Sequence, residues 1–264
     1  MATRDLESAR KAYEMNDTEA SRKAHLQSHL KNEKHKKGGN FLKSFVYGGL
    51  DGVVTTFSIV SGAVGSNLGN AVVVILGLSN VISDALSMAF GDYLSTKSEI
   101  EFQKAEKARE TWEVENNPEG EILEMEEVYM SKGMAKEDAS EMCRILSKNK
   151  KAWIDVMMVE ELGIIEETDD PLKNALVTFF SFVISGIFPL LPFLIGIGPK
   201  ANPNTLYYVS IALTAIVLFA MGAIKTRITD VNFIKSGMET LVIGATAAGI
   251  AYLVGWLLEP LQDD

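Results

Sequence analysis

The sequence predicts an all-α membrane protein: five transmembrane helices, with a cytosolic helical domain inserted between helices 2 and 3. Three observations predict it. Five apolar runs are long enough to cross a hydrocarbon core of about 30 Å. Charge is segregated: the chain is 47% hydrophobic and 23% charged, yet the charges crowd into two stretches instead of mixing evenly as in a soluble globule. With five spans, the excess of Lys and Arg falls on one side, as the positive-inside rule requires.

Residues 1–40 read as a basic cytosolic N-terminal arm. Arg4, Arg10, Lys11, Arg22, Lys23, Lys31, Lys34, Lys36 and Lys37 precede the first apolar run and suit an anionic leaflet. His25 and His29 stand at i, i+4, but a solvated helix face accounts for them and for His35. The arm has no apolar signal segment, so membrane insertion is expected to rest on the first span.

Residues 41–91 hold transmembrane helices 1 and 2, at 43–64 and 71–91, with a tight turn at Gly65, Asn67 and Gly69. Residues 92–170 form the inserted cytosolic domain. Acids and bases alternate there at helical spacing, with breaks at Asn116-Asn117-Pro118 and Gly133. The pattern extends the second helix to about Glu115 and adds one helix at about 119–131 and one or two at about 136–162. Cys143 is the single cysteine and reads as an ordinary helical thiol, since no basic cluster flanks it.

Residues 171–264 hold transmembrane helices 3 to 5, at 172–194, 206–224 and 238–258. Gly186, Pro189 and Pro192 predict a kinked or broken far end for the first of them. Gly244, Ala245, Ala248 and Gly249 permit close helix approach in the last. The arm, the inserted domain and the loop 225–236, with Lys225, Arg227 and Lys235, then face the cytosol. The opposite side receives the C-terminus and a loop with the single base Lys200.

Two regions carry chemistry. Asp51 lies near the middle of the first span, where a carboxylate costs about 2.5–3.5 kcal/mol on insertion scales. A cation, a proton, water or a partner must compensate, and Gly48, Gly49 and Gly52 leave room for one. Asn80, Asp84 and Met88 share one face of the second span at i, i+4, i+8, and Asp92 extends it to the membrane exit. The plainer readings are a structural hydrogen bond for each Asp and packing for Met88.

The inserted domain supplies Glu110 and Glu113 at i, i+3, Glu121 and Glu124 at the same spacing, and Met157, Met158 and Glu161. Acidic helix faces are usually just solvated, but the Met-Met-x-x-Glu group adds thioethers. Oxygen ligands suit magnesium, calcium and manganese, whereas thioethers favour softer transition metals. A mixed set fits Fe²⁺, with Mn²⁺, Co²⁺ and Zn²⁺ as competitors.

Enzymes are not indicated. No Gly-x-Ser-x-Gly, phosphate-binding Gly-Lys-Ser/Thr or Cys-x-x-Cys motif occurs, and a membrane di-metal oxidase would need Glu-x-x-His pairs that are missing. No cofactor is expected, and without an ATP site uphill transport would draw on an ion gradient. The net charge of −10 opposes nucleic-acid binding. A reading from another class is a metal-sensing membrane scaffold whose acidic domain binds Fe²⁺ or Ca²⁺ without transport; carboxylates within the spans argue against it.

Three segments carry a resemblance: Asp-Gly-Val-Val-Thr-Thr-Phe (51–57), Ser-Met-Ala-Phe-Gly-Asp-Tyr-Leu-Ser-Thr-Lys-Ser-Glu (87–99) and Ala-Trp-Ile-Asp-Val-Met-Met-Val-Glu-Glu-Leu-Gly (152–163). With Pro-Leu-Leu-Pro-Phe (189–193), the chain after residue 40 resembles the vacuolar iron transporter family. The resemblance implies a homodimer in the membrane of an acidic, vacuole-like organelle, exporting Fe²⁺ from the cytosol in exchange for protons. It places metal ligands at Glu110, Glu113, Glu121, Glu124, Met157, Met158 and Glu161, and the transport path at Asp51 and Met88. A path position that is acidic in some relatives is Asn80 here, while Asp84 supplies an acid one turn later.

Overall fold

The computed structural model describes residues 11–13, 15–26, 39–165, 170–196, 202–229 and 231–262. The chain divides into two compact units, Met1–Leu42 and Lys43–Asp264. In the first, α1 (Thr18–Leu26) starts where Asp17 Oδ1 accepts hydrogen bonds from the backbone N–H of Glu19 and Ala20 at 3.0 and 2.9 Å, the usual remedy for unpaired N-terminal donors. His29, His35 and the side chain of His25 lie outside the described residues, as do Lys200 and the side chain of Arg227.

Among its described residues the second unit's regular elements are all helices, joined by turns. α2 (Gly39–Gly65) ends in a turn in which Asn67 takes φ 57° and the Leu68 N–H returns to the Ala63 carbonyl at 2.9 Å, a left-handed helix stop for which Asn is suited. α3 runs unbroken from Asn70 to Asn116, carrying the apolar stretch straight into the polar domain. There α4 (Pro118–Ser131), α5 (Lys136–Leu146) and α6 (Lys150–Glu160) follow. Pro118 opens α4, where a missing N–H is harmless, and Gly133 at φ +95° ends the turn after it.

α7 (Pro171–Ile195), α8 (Pro203–Thr229) and α9 (Phe233–Leu258) complete the chain, with a short 3₁₀ turn at Glu259–Gln262. α7 differs from expectation in not being broken: it continues through Pro189 and Pro192 to Ile195. Proline already holds the helical φ, so each costs one backbone hydrogen bond without ending the helix.

By length and composition, four helices among the described residues can cross a membrane: Asn70–Asn116, Pro171–Ile195, Pro203–Thr226 and Phe233–Leu261. α2 is long enough but less apolar, because Asp51, five serines and threonines, and five glycines after Lys43 dilute it. Its glycines instead meet other backbones. A β-carbon on Gly48 would stand 2.9 Å from the Thr178 carbonyl oxygen, and one on Gly52 would collide with the Phe182 carbonyl. Farther along, Gly65 abuts Tyr252 and Gly255 abuts Gly62. α3 packs most extensively on α7, through Val73, Gly77, Val81 and Ala85, one face at helical spacing.

Candidate metal site

Three helices of the polar domain build one acidic cluster by the same device. Each presents a glutamate and, one turn away, a residue of the domain's apolar core: Glu110 and Val114 on α3, Glu121 and Met125 on α4, Met157 and Glu161 at the end of α6. That core, with Tyr129, Cys143, Trp153, Ile154 and Met158, pins the helices and holds the carboxylates at its edge.

The result is two triads sharing one member. Glu110, Glu113 and Glu121 bring one carboxylate oxygen each within 4.8 Å of one another, and so do Glu121, Glu124 and Glu161. Oxygens around a divalent cation lie about 2.0–2.6 Å from it, so a pair can be separated by nearly twice that; the triads are of that size. Glu110 is 1% exposed and Glu121 4%. One buried oxygen each of Glu110, Glu121 and Glu161 has no hydrogen-bond partner.

The electrostatics match. Burial foremost, then the neighbouring carboxylates, push Glu110 and Glu121 up to about 7 against an offsetting Arg109 beside Glu110. Glu161 is raised by burial and by Glu124. The Arg109 guanidinium, half exposed, lies 3.0 Å from Glu110 and 2.8 Å from Glu106 and borders the cluster. Arg109 is the participant that sequence reasoning did not single out; an Arg beside a Glu is too common on helices to signal anything.

All five glutamates singled out by spacing are brought together. The methionine pair is in the domain's core, Met157 fully buried and Met158 7% exposed, with Glu161 one turn beyond. In the apolar region, neither the Asp51 carboxylate on α2 nor the Asp84 carboxylate on α3 has a hydrogen bond or ion pair among the described residues. Asn80, Asp84 and Met88 are half-buried, lying beside the Val81–Ala85 face that packs on α7. The Asn80 amide nitrogen is buried without a partner. Asp92 is engaged structurally, accepting from Ser44 at 3.2 Å and Thr178 at 2.5 Å. Along α3, Asp84 and Glu110 are about 40 Å apart at the helical rise.

Fold and cluster together define a polytopic helical membrane protein with a carboxylate cluster outside its apolar spans. The chain belongs to the VIT family, whose model matches residues 42–256, a family of transporters and not of enzymes. It is 40% identical to a vacuolar iron transporter of Toxoplasma gondii over 97% of this chain and 89% of that protein. It is 34% identical to one of Plasmodium falciparum, over 98% of each. A vacuolar iron transporter 1 of Arabidopsis thaliana is 32% identical over 86% of this chain and 90% of its own.

Proposed function

We propose that the protein moves Fe²⁺, and with it Mn²⁺ and similar divalent ions, from the cytosol into an acidic vacuole-like organelle in exchange for protons. The observation that carries this reading is the gathering of five glutamates from three helices with buried oxygens unpaired, in a chain similar over nearly its whole length to vacuolar iron transporters.

In this reading α2 is the first of five spans, residues 92–170 are a cytosolic metal-binding domain, and the C-terminus is lumenal. Glu110, Glu113, Glu121, Glu124 and Glu161 capture the ion, with Met157 and Met158 favouring a softer metal over magnesium. The ion then passes along Asp51, Asn80, Asp84 and Met88 in a homodimer. Carboxylates hold a metal only when deprotonated, so protons from the lumen compete it off.

The test is transport by purified protein in liposomes with an imposed pH gradient and a panel of divalent metals. Fe²⁺ entry accelerated by the gradient is expected, and Asp51→Ala should abolish it while the detergent-solubilised full chain still binds metal. Metal binding without flux would favour the metal-sensing scaffold instead.

A further inference from the structure

Three membrane helices, α2, α7 and α8, meet along hydroxyls that the carboxylate path does not use. Thr56 on α2 is fully buried and its Oγ1 has no hydrogen-bond partner. Its neighbours behave differently: Thr55 Oγ1 donates to the Asp51 carbonyl at 2.7 Å, and Ser58 Oγ to the Val54 carbonyl at 2.8 Å. Thr56 Oγ1 instead faces α7, where a β-carbon on Gly186 would stand 3.0 Å from it and 3.1 Å from the Gly52 carbonyl oxygen. Thr214 on α8 repeats the condition, 1% exposed with its Oγ1 unpartnered.

Further hydroxyls lie on these helices in both directions from Thr56. Toward the end where α7 stops, the Tyr207 hydroxyl donates to Ser61 Oγ at 3.2 Å. Toward the polar domain, Ser181 Oγ and Ser185 Oγ would lie 2.8 and 2.9 Å from a β-carbon on Gly49, and Ser181 donates to the Phe45 carbonyl. Pro189 has no N–H, which leaves the Ser185 carbonyl without its helical donor.

We propose that this seam holds water and conducts protons through the core of the helix bundle, apart from the metal's path on α2 and α3. A hydroxyl both donates and accepts, and a buried water is held by two to four such groups. A proton taken up on a lone pair at the Tyr207 end displaces the hydroxyl's own proton onward, so it crosses with no net change in the seam. First-row divalent metals favour carboxylate, imidazole or sulfur over neutral hydroxyls, which keeps the cation on the carboxylates. The ionisable groups around the seam include Asp51 and Asp84, Asp92 at the polar-domain end, and at the other end Tyr207 itself with Tyr252 stacked on it.

The inference rests on the antiport reading above, and its test separates the two. Liposomes carrying a pH-sensitive dye report proton flux while Fe²⁺ entry is followed anaerobically. Thr56→Val and Thr214→Val, on different helices, should each cut metal-coupled proton flux about tenfold, roughly the loss of one needed hydrogen bond, and change Fe²⁺ entry by less than about twofold once a protonophore collapses the gradient. Thr56→Ser, which keeps the hydroxyl, should restore coupling. Wild-type proton flux in both valine variants overturns the seam while leaving antiport intact. So does loss of Fe²⁺ entry with the gradient collapsed. If the unaltered protein moves no protons with the metal, the antiport reading itself fails, and the seam's role falls with it.

Discussion

Both the membrane helices and the polar domain bury apolar side chains, but among the described residues only the membrane helices also bury serines and threonines. The polar domain buries Met125, Tyr129, Trp153, Ile154 and Met157, as any water-soluble fold does. The membrane helices bury Thr56, Ser61, Thr178, Ser181, Ser185, Ser210, Thr214, Ser236 and Thr240, and turn Ile75, Leu86, Phe90, Ile184, Ile216 and Val242 outward. Lipid tails are as apolar as leucine, so burying leucine between membrane helices gains little; small residues and interhelical hydrogen bonds hold them instead. Ser210 bonded to the Pro189 carbonyl at 2.6 Å and Ser236 to the Gly222 carbonyl at 2.8 Å are such links. A buried hydroxyl that is hydrogen-bonded is therefore weak as a functional signal in the membrane helices, unlike the unpartnered Thr56 and Thr214, and the carboxylates buried against the apolar core of the polar domain are a strong one.

The largest effect expected from this contrast is in the polar domain. Trp153→Ala would open a cavity in its core and should cost about 3–5 kcal/mol, lowering the thermal midpoint of the detergent-solubilised protein and weakening metal binding. The membrane helices should respond more to gain of bulk than to loss. Gly52→Ala would drive a β-carbon into the Phe182 carbonyl and should cost about 1–3 kcal/mol as overpacking, read by the same melt. If Gly52→Ala proved neutral and a buried-apolar truncation in the membrane helices were as damaging as Trp153→Ala, the contrast would be wrong.

The same contrast explains what was legible in the sequence. Asn116-Asn117-Pro118 and Gly133 marked the helix ends of the polar domain, because turn chemistry is local. The pairs Glu110–Glu113 and Glu121–Glu124 were legible because i, i+3 spacing puts both members on one face. That the two pairs share a site with Glu161 depends on how α3, α4 and α6 pack, which is not local. α2 was harder to judge: its glycines and hydroxyls serve helix contact and lower its hydropathy at once, so it is long enough to cross a membrane but not among the four described helices that are also apolar enough. Of the kinked or broken end expected at Pro189 and Pro192, the break did not occur, because proline removes a donor but keeps the helical φ. Thr56 and Thr214 carried no sequence signal, since threonine in a membrane helix normally bonds its own backbone.

The smallest effect is the most specific to the carboxylate cluster. Glu110 and Glu121 are raised from 4.5 to about 7, burial being the main cause. A raised folded-state value means that stability is fully present below the unfolded value and is lost as pH rises through the folded one. The metal-free protein should thus melt at progressively lower temperature as pH climbs from about 4.5 past about 7. A divalent cation takes the deprotonated carboxylates, so the rise in melting temperature on adding Fe²⁺ or Mn²⁺ should grow over the same window. Near pH 7 the incoming metal must also displace protons, visible as binding heats that vary with the buffer's ionisation enthalpy. Glu121→Gln, at the member shared by both triads, should flatten the metal-free trend and remove most of the metal-induced shift, whereas Glu141→Gln, outside the cluster, should leave both unchanged. A metal-induced shift independent of pH would mean that the glutamates ionise as freely as surface residues, and the polar domain would then differ from the membrane helices in packing alone.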